Sequence, residues 1–416
     1  MSDIPKGYKQ TELGVIPEDW DVDCLGRFWS VTDCKHVTAT FIPSGYPVAS
    51  IKEVQVRFVD LTNANQTNER FYRLLTEGLR QPRPGDLIMS RNATVGEIAQ
   101  VADWHQAFAM GQDVCLLRKR SPDFSSDFLQ SVFRSEIIGS QLSDLMVGST
   151  FKRANVRQIK GLMIPMPGCS EQAAIAEALS DADAFIESLD DLLAKKRQLK
   201  QGAMQELLTG KKRLLGFSDE WELASAGDIG RFQSGSGFPI KFQGASAGEY
   251  PFFKVSDMNT EGNETFIETA NNYISEALRK QLGAIAFPAN SIVFAKVGAA
   301  VFLERKKILT KASCLDNNMA AFVLDTSRTD NRFIHYLLLN TKLSSLVSTT
   351  ALPSLSGSVL SAIKFLLPSV AEQTAIAAIL SDMDTEIAAL EDKLAKARNL
   401  KQGMMQELLT GRIRLV

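Results

Sequence analysis

One passage occurs twice in this 416-residue chain. Glu171 to Leu214 reads EQAAIAEALSDADAFIESLDDLLAKKRQLKQGAMQELLTGKKRL, and Glu372 to Leu415 reads EQTAIAAILSDMDTEIAALEDKLAKARNLKQGMMQELLTGRIRL. The copies agree at 29 of 44 positions, at a fixed offset of 201 residues. The stretches that precede them share almost no sequence, although Trp20 and Trp221 keep the same offset. A chain that keeps one surface twice and varies another twice has the layout of two similar docking elements carrying two dissimilar readers, which suits a two-part target.

The repeated segments read as long helices. Apolar residues fall at Ile175, Leu179, Ala182, Ile186, Leu189 and Leu193, and again at Ile376, Leu380, Met383, Ile387, Leu390 and Leu394. These alternating steps of four and three, kept up for three heptads, are the pattern of a coiled-coil seam. Ser369 with Glu372 reads as a capping box at the second start, and Gly168 stands at the first. Both helices run into Thr-Gly, at Gly210 and Gly411, suited to a left-handed stop. At 1.5 Å per residue such helices are rods of roughly 50–60 Å. The first variable region feeds the start of helix one and the second begins just past its end, so the expected molecule is elongated, with a reader at each end and the helices antiparallel.

Each variable region reads as mixed α/β. In the first, Asp86–Ser90, Glu97–Val101 and Val114–Leu117 are expected strands, and Phe124–Leu145 an amphipathic helix. In the second, Phe252–Val255, Ser291–Ala295, Ala299–Leu303 and Ala320–Leu324 are expected strands, with a helix over Arg332–Val347. The order is the same in both, so one fold is expected to carry two sequences.

Several function classes are disfavoured. No run of 18 apolar residues is present, so no membrane partner is expected. The N-terminus has no apolar core of a signal peptide, and five scattered cysteines lack zinc or redox spacing, which together give a cytoplasmic expectation. No phosphate loop, GxGxxG turn, nucleophile elbow or methyltransferase motif appears, and the three histidines lie in unrelated contexts. No catalytic residue and no metal site is therefore expected. The net charge is −2, but residues 21–165 carry 17 basic against 15 acidic side chains and 222–368 carry 14 against 12. This balance counts against a free-standing nucleic-acid binder; if the chain binds DNA, the bulk attraction comes partly from a basic partner.

Planar polar side chains stand at expected loop tips. Arg91 and Asn92 follow a strand, and Lys296 takes the similar place in the second region. Gln112 precedes one strand as Asn317 and Asn318 precede its counterpart. Lys152, Arg153 and Asn155 lie between helix and final strand, where the second region offers Ser354 and Ser356. Arg and Lys suit guanine edges, Asn and Gln suit adenine, and Ser and Lys suit phosphates. Any one of these taken singly reads first as a solvated loop; the symmetrical set favours DNA reading. Lys195, Lys196, Arg197 and Lys200, with Lys393, Lys396, Arg398 and Lys401, are a solvated face or a docking face for a partner bound twice. A scaffold with two protein-binding end domains also explains the repeat, but not the paired polar loops.

Over nearly its full length the chain resembles specificity subunits of type I restriction-modification systems. The resemblance rests on YKQTELG from Tyr8 with IPEDW from Ile16, on the Glu-Gln-x-x-Ile-Ala starts at Glu171 and Glu372, and on the Leu-Lys-Gln-Gly and Leu-Leu-Thr-Gly strings that end both helices. It implies an α+β fold with two mixed α/β target-recognition domains joined by two long antiparallel coiled-coil helices in pseudo-two-fold arrangement. The segments expected are 1–165, 166–214, 215–368 and 369–416. Each recognition domain would read half of a gapped double-stranded DNA target. The helices would set the gap and dock two modification (methyltransferase) subunits, and restriction (translocase/nuclease) subunits would join. S-adenosylmethionine, ATP and Mg would belong to those partners, with no cofactor in this chain.

Overall fold

The computed structural model describes residues 4–146, 153–347 and 353–416. Two helices of 39 residues, Cys169–Leu207 and Val370–Leu408, carry the repeated passages. The chain divides into two compact units, one of Met1–Asp190 with Asp392–Val416, the other of Asp191–Glu391. Each unit therefore holds one variable region, the first part of one long helix and the last part of the other.

In the first unit a four-stranded antiparallel sheet orders its strands as Trp29–Asp33, Val114–Lys119, Leu87–Ser90 and Ile98–Gln100. Its central strands are buried on both faces, so they read as continuous apolar runs. Successive side chains point to opposite faces. Leu87, Met89, Cys115 and Leu117 therefore enter the core beneath the long helices, while Ile88, Val114 and Leu116 enter a second core. A smaller sheet pairs Tyr46–Ala49 in parallel with Ala109–Met110. A two-stranded ribbon pairs Asp21–Cys24 with Met163–Met166 just before the first long helix.

The second unit repeats this plan with other residues. Its main sheet orders Gly230–Ser234, Met319–Leu324, Ile292–Ala295, Lys306–Leu309 and Phe266–Ile267. Ile292, Phe294, Ala320 and Phe322 face the core beneath the helices, and Val293, Met319 and Ala321 face the other. Tyr250–Phe253 pairs in parallel with Cys314–Leu315, and Glu222–Ser225 pairs with Lys364–Leu367.

Within each unit the long helices run antiparallel. In the first, Asp183 meets Lys401 and Asp190 meets Arg398; in the second, Lys200 meets Asp384 and Lys196 meets Glu386. Much of the basic face seen in the sequence is thus engaged within the chain. Ile175, Leu179, Leu189 and Leu193 are buried, as are Ile376, Leu380 and Leu394, whereas Ile186, Ile387 and Leu390 are half-buried. Ile175 and Leu179 join the first unit's core with Leu408 and Leu409, and Ile376 and Leu380 join the second's with Leu207 and Leu208. Ile175, Leu179, Ile376 and Leu380 therefore serve domain packing.

Four local expectations change. The helix expected over Arg332–Val347 stops at Leu339, where Asn340 caps it, and a separate 3-10 segment covers Leu343–Leu346. Phe124–Leu145 is two helices, Ser126–Phe133 and Glu136–Met146, because the chain breaks at Arg134 and Ser135 Oγ accepts the Ile137 N–H to start again. Residues Ala299–Leu303 form a 3-10 turn and no strand, since Gly298 (φ 81°) and Glu304 (φ 54°) are left-handed at its two ends. Ser369 accepts the Glu372 N–H, but the Glu372 carboxylate does not return to complete a capping box. It bonds Arg213 and Trp221 instead.

Candidate nucleic-acid interface

The described polar residues marked in the sequence meet at one end of two central, neighbouring strands in each main sheet. In the first unit the strand Leu87–Ser90 ends at Arg91. The Arg91 N–H donates to Asp113 O (2.8 Å), and Ala154 N–H donates to Arg91 O (3.0 Å). Asn92 forms an antiparallel bridge with Arg153. Three segments distant in sequence, carrying Arg91-Asn92, Gln112-Asp113 and Arg153-Asn155, are thereby stitched together by main-chain hydrogen bonds. Arg153 pairs with Asp113 at 3.2 Å. Gln112 Nε2 donates to Thr38 Oγ1, and Asn155 caps the short helix Val156–Lys160 by accepting the Gln158 N–H. Lys152 lies outside the described residues.

The second unit builds the same junction. Lys296 ends the strand Ile292–Ala295; its N–H donates to Asn318 O (2.8 Å), and Leu355 N–H donates to Lys296 O (2.9 Å). Val297 bridges Ser354, and Ser356 caps the short helix Gly357–Ser361. Lys296 Nζ reaches Ser234 Oγ at 2.7 Å. Asn317 and Asn318 are exposed, and Asn318 is held by Asp316. Arg91 and Lys296, Asp113 and Asn318, Arg153 and Ser354, and Asn155 and Ser356 are thus equivalent positions with different chemistry. A fixed frame with exchangeable polar tips can discriminate base edges without any change of fold.

Arg91 differs from the rest. It is 3% exposed and lies 2.7 Å from Asp33 Oδ1, so its guanidinium points into the domain. Asp33, Cys34 and His36 are the one group of metal-ligand types that lies close together among the described residues. Arg91 already supplies a cation to Asp33, which weakens the case for a second there. Burial pushes the Cys34 thiol up.

A second feature, missed in the sequence, anchors each domain to the helices. Glu171 is 2% exposed; it accepts hydrogen bonds from Trp20 Nε1 (2.9 Å) and from Arg414 Nε and Nη2 (2.7 and 2.9 Å). Glu372 does the same with Trp221 Nε1 (3.2 Å) and Arg213 Nε and Nη2 (2.8 Å each). Burial alone would raise the Glu171 carboxyl, but the bonds from Arg414 and Trp20 outweigh it and hold the pKa below the ordinary value. The neighbouring glutamines repeat as well. Gln172 accepts the Ser125 N–H and donates to Pro167 O, and Gln373 accepts the Asp330 N–H and donates to Pro368 O. The arginine of each repeat copy closes on the other copy's glutamate. The only hint in the sequence is that Trp, Glu and Arg all keep the offset of 201.

Two equivalent domains with exchangeable polar tips, each locked to the start of a repeated helix, define a two-part recognition protein. The sequence profile of the type I restriction modification DNA specificity domain matches residues 38–196 and again 218–398, and the chain belongs to that family. It is 25% identical over 439 residues to the putative type I restriction enzyme MjaX specificity subunit of Methanocaldococcus jannaschii, covering 99% of this chain and 97% of that one. It is 23% identical over 435 residues to the MjaVIII specificity subunit of the same organism, covering 99% and 96%. The fold is similar to that of the type I restriction-modification S subunit from M. genitalium (TM-score 0.57, 16% identity, 94% of this chain and 96% of that one). It is also similar to a chain solved in a study of assembly and conformational transition of the type I R-M system (TM-score 0.58, 16% identity, 96% and 99%). The chain is a specificity subunit in fold and family. No described helix is long and apolar enough to cross a membrane.

Proposed function

We propose that this chain reads a bipartite, gapped DNA sequence, one half at each junction, on behalf of a methyltransferase and nuclease assembly. The observation that carries this reading is the pair of junctions built by matching main-chain hydrogen bonds. One frame holds Arg91, Gln112, Asp113, Arg153 and Asn155 in the first unit and Lys296, Asn317, Asn318, Ser354 and Ser356 in the second. The long helices fix the separation of the half-sites. They also offer the same apolar residue twice, Leu199 and Leu400, exposed at matching places in the repeat. One partner type bound in two copies, a modification subunit, accounts for that duplication, and restriction subunits add to the complex. Chemistry then belongs to the partners, with S-adenosylmethionine, ATP and Mg as their cofactors and none in this chain.

Single-molecule methylation mapping of the source cell, with and without this gene, tests the proposal. Loss of one bipartite methyladenine motif on deletion is expected. An unchanged methylome in a cell whose modification subunits are expressed would contradict it.

A further inference from the structure

The two domains share a backbone at one patch and oppose each other in charge there. In the first, Leu25 N–H donates to Leu162 O and Arg120 N–H to Phe28 O; in the second, Ala226 N–H donates to Ile363 O and Asp325 N–H to Ile229 O. Gly26 lies against Lys160, whose Cβ would sit 3.1 Å from an added Cβ; Gly227 lies against Ser361 at the same 3.1 Å. Arg120, Lys160 and Arg157 of the first domain are therefore matched by Asp325, Ser361 and Ser358 of the second. Arg27, tied to Asp23, is matched by Asp228.

The basic version forms a stripe that starts at the reading junction. Asn155 caps the helix Val156–Lys160 within the junction, and Arg157 and Lys160 are exposed three residues apart on that helix, on one face. Neither side chain has an intramolecular partner among the described residues. Arg120 follows at the far end, its Nε donating to Gly26 O (3.1 Å) and leaving the rest of its guanidinium outward. Along the helix this path covers about 8 Å, and a duplex offers a phosphate every ~3.4 Å of axis per strand. The second domain's nearby cations are otherwise engaged: Arg328 with Glu222, and Lys364 with Ser225.

We propose that Arg157, Lys160 and Arg120 form a phosphate-binding stripe that extends from the first reading junction and has no counterpart in the second domain. The first half of the target is then held by this added charge as well as by the contacts of its junction, and the second half, read around Lys296, lacks that charge at the equivalent patch. This rests on the DNA-reading function proposed above.

Binding of the full chain, together with its modification subunits, to a duplex carrying the methylated motif and to a scrambled duplex is measured over a series of salt concentrations. Each phosphate contact contributes about 0.9 to the slope of log K against log salt. The triple variant Arg120→Ala, Arg157→Ala, Lys160→Ala is expected to lower that slope by about 2 to 3 on both duplexes alike. The exchange Arg157→Lys with Lys160→Arg is expected to keep it, and Ser358→Ala with Ser361→Ala to leave it unchanged. An unaltered slope in the triple variant, with a thermal transition like the parent's, overturns the stripe and leaves the reading function standing. Absence of salt-dependent DNA binding by the parent complex overturns both.

Discussion

Arg414 grips the carboxylate of Glu171, 243 residues earlier in the chain, through two hydrogen bonds of 2.7 and 2.9 Å. Arg414 also bonds Asp19, and Tyr8 Oη donates to Gly411 O at 3.0 Å. Gly411 is left-handed (φ 67°) and packs so closely on Pro17 that a Cβ there would stand 2.5 Å from its ring. The end of the chain thus belongs to its first domain. Arg414→Ala leaves a buried carboxylate without its cation and should destabilise the first unit by about 2–4 kcal/mol, read as a lower urea midpoint.

The pH dependence of that lock has a definite sign. The folded pKa of Glu171 is held below its ordinary value of 4.5, so its contribution is present above about pH 4.5 and is lost as pH falls below it. Urea titrations of the parent should show stability falling on acidification below that point. Arg414→Ala should show a shallower fall.

Arg398 and Asp190 form a contrasting pair. Both are about half exposed, and a surface ion pair of this kind contributes about 0–1 kcal/mol. Arg398→Ala should therefore shift the urea midpoint far less than Arg414→Ala. Comparable losses would show that the helix surface, and not the buried Glu171, dominates the closure.

Glu304 fixes the segment that leads to the second junction. It accepts the N–H groups of Leu343 and Ser344 and pairs with Lys306. Burial would raise its pKa, but Lys306 and Ser344 bring it down to about 2. Its stabilising effect is thus complete above about pH 4.5 and lost as pH falls toward 2. Glu304→Gln should remove this acid-sensitive component, measured as the difference in urea midpoint between pH 5 and pH 3.

Thiol reactivity should follow burial. Cys169 is exposed at the start of the first long helix, whereas Cys34, Cys115 and Cys314 are buried and burial raises Cys314 to about 11. A disulfide reagent at neutral pH should label Cys169 first. The three buried thiols should react only on unfolding.

The helices were legible because a heptad pattern is local, and the paired strand-end positions because strand, turn and polar tip follow one another in sequence. Residues whose state depends on a distant partner were not. Arg91 reads as an outward loop tip, yet Asp33, on a strand brought near only by folding, draws it inward. Glu372 reads as a capping residue until Arg213 and Trp221 are seen to claim its carboxylate. Ala299–Leu303 has strand-like composition, but left-handed Gly298 and Glu304 turn it into a 3-10 segment. Composition could not show the exchange in which Arg213 and Arg414 each close on the other copy's glutamate, because both copies contain the same arginine and the same glutamate.

Each junction is proposed to read its own half of one target. Methylation mapping of cells carrying either Gln112→Ala with Arg153→Ala, or Asn318→Ala with Ser354→Ala, in place of the parent chain tests it most directly. Each variant is expected to relax or abolish selectivity in one half of the methylated motif while the other half and the gap stay as they were. Relaxation of both halves by either variant, or an unchanged motif with both, would contradict it.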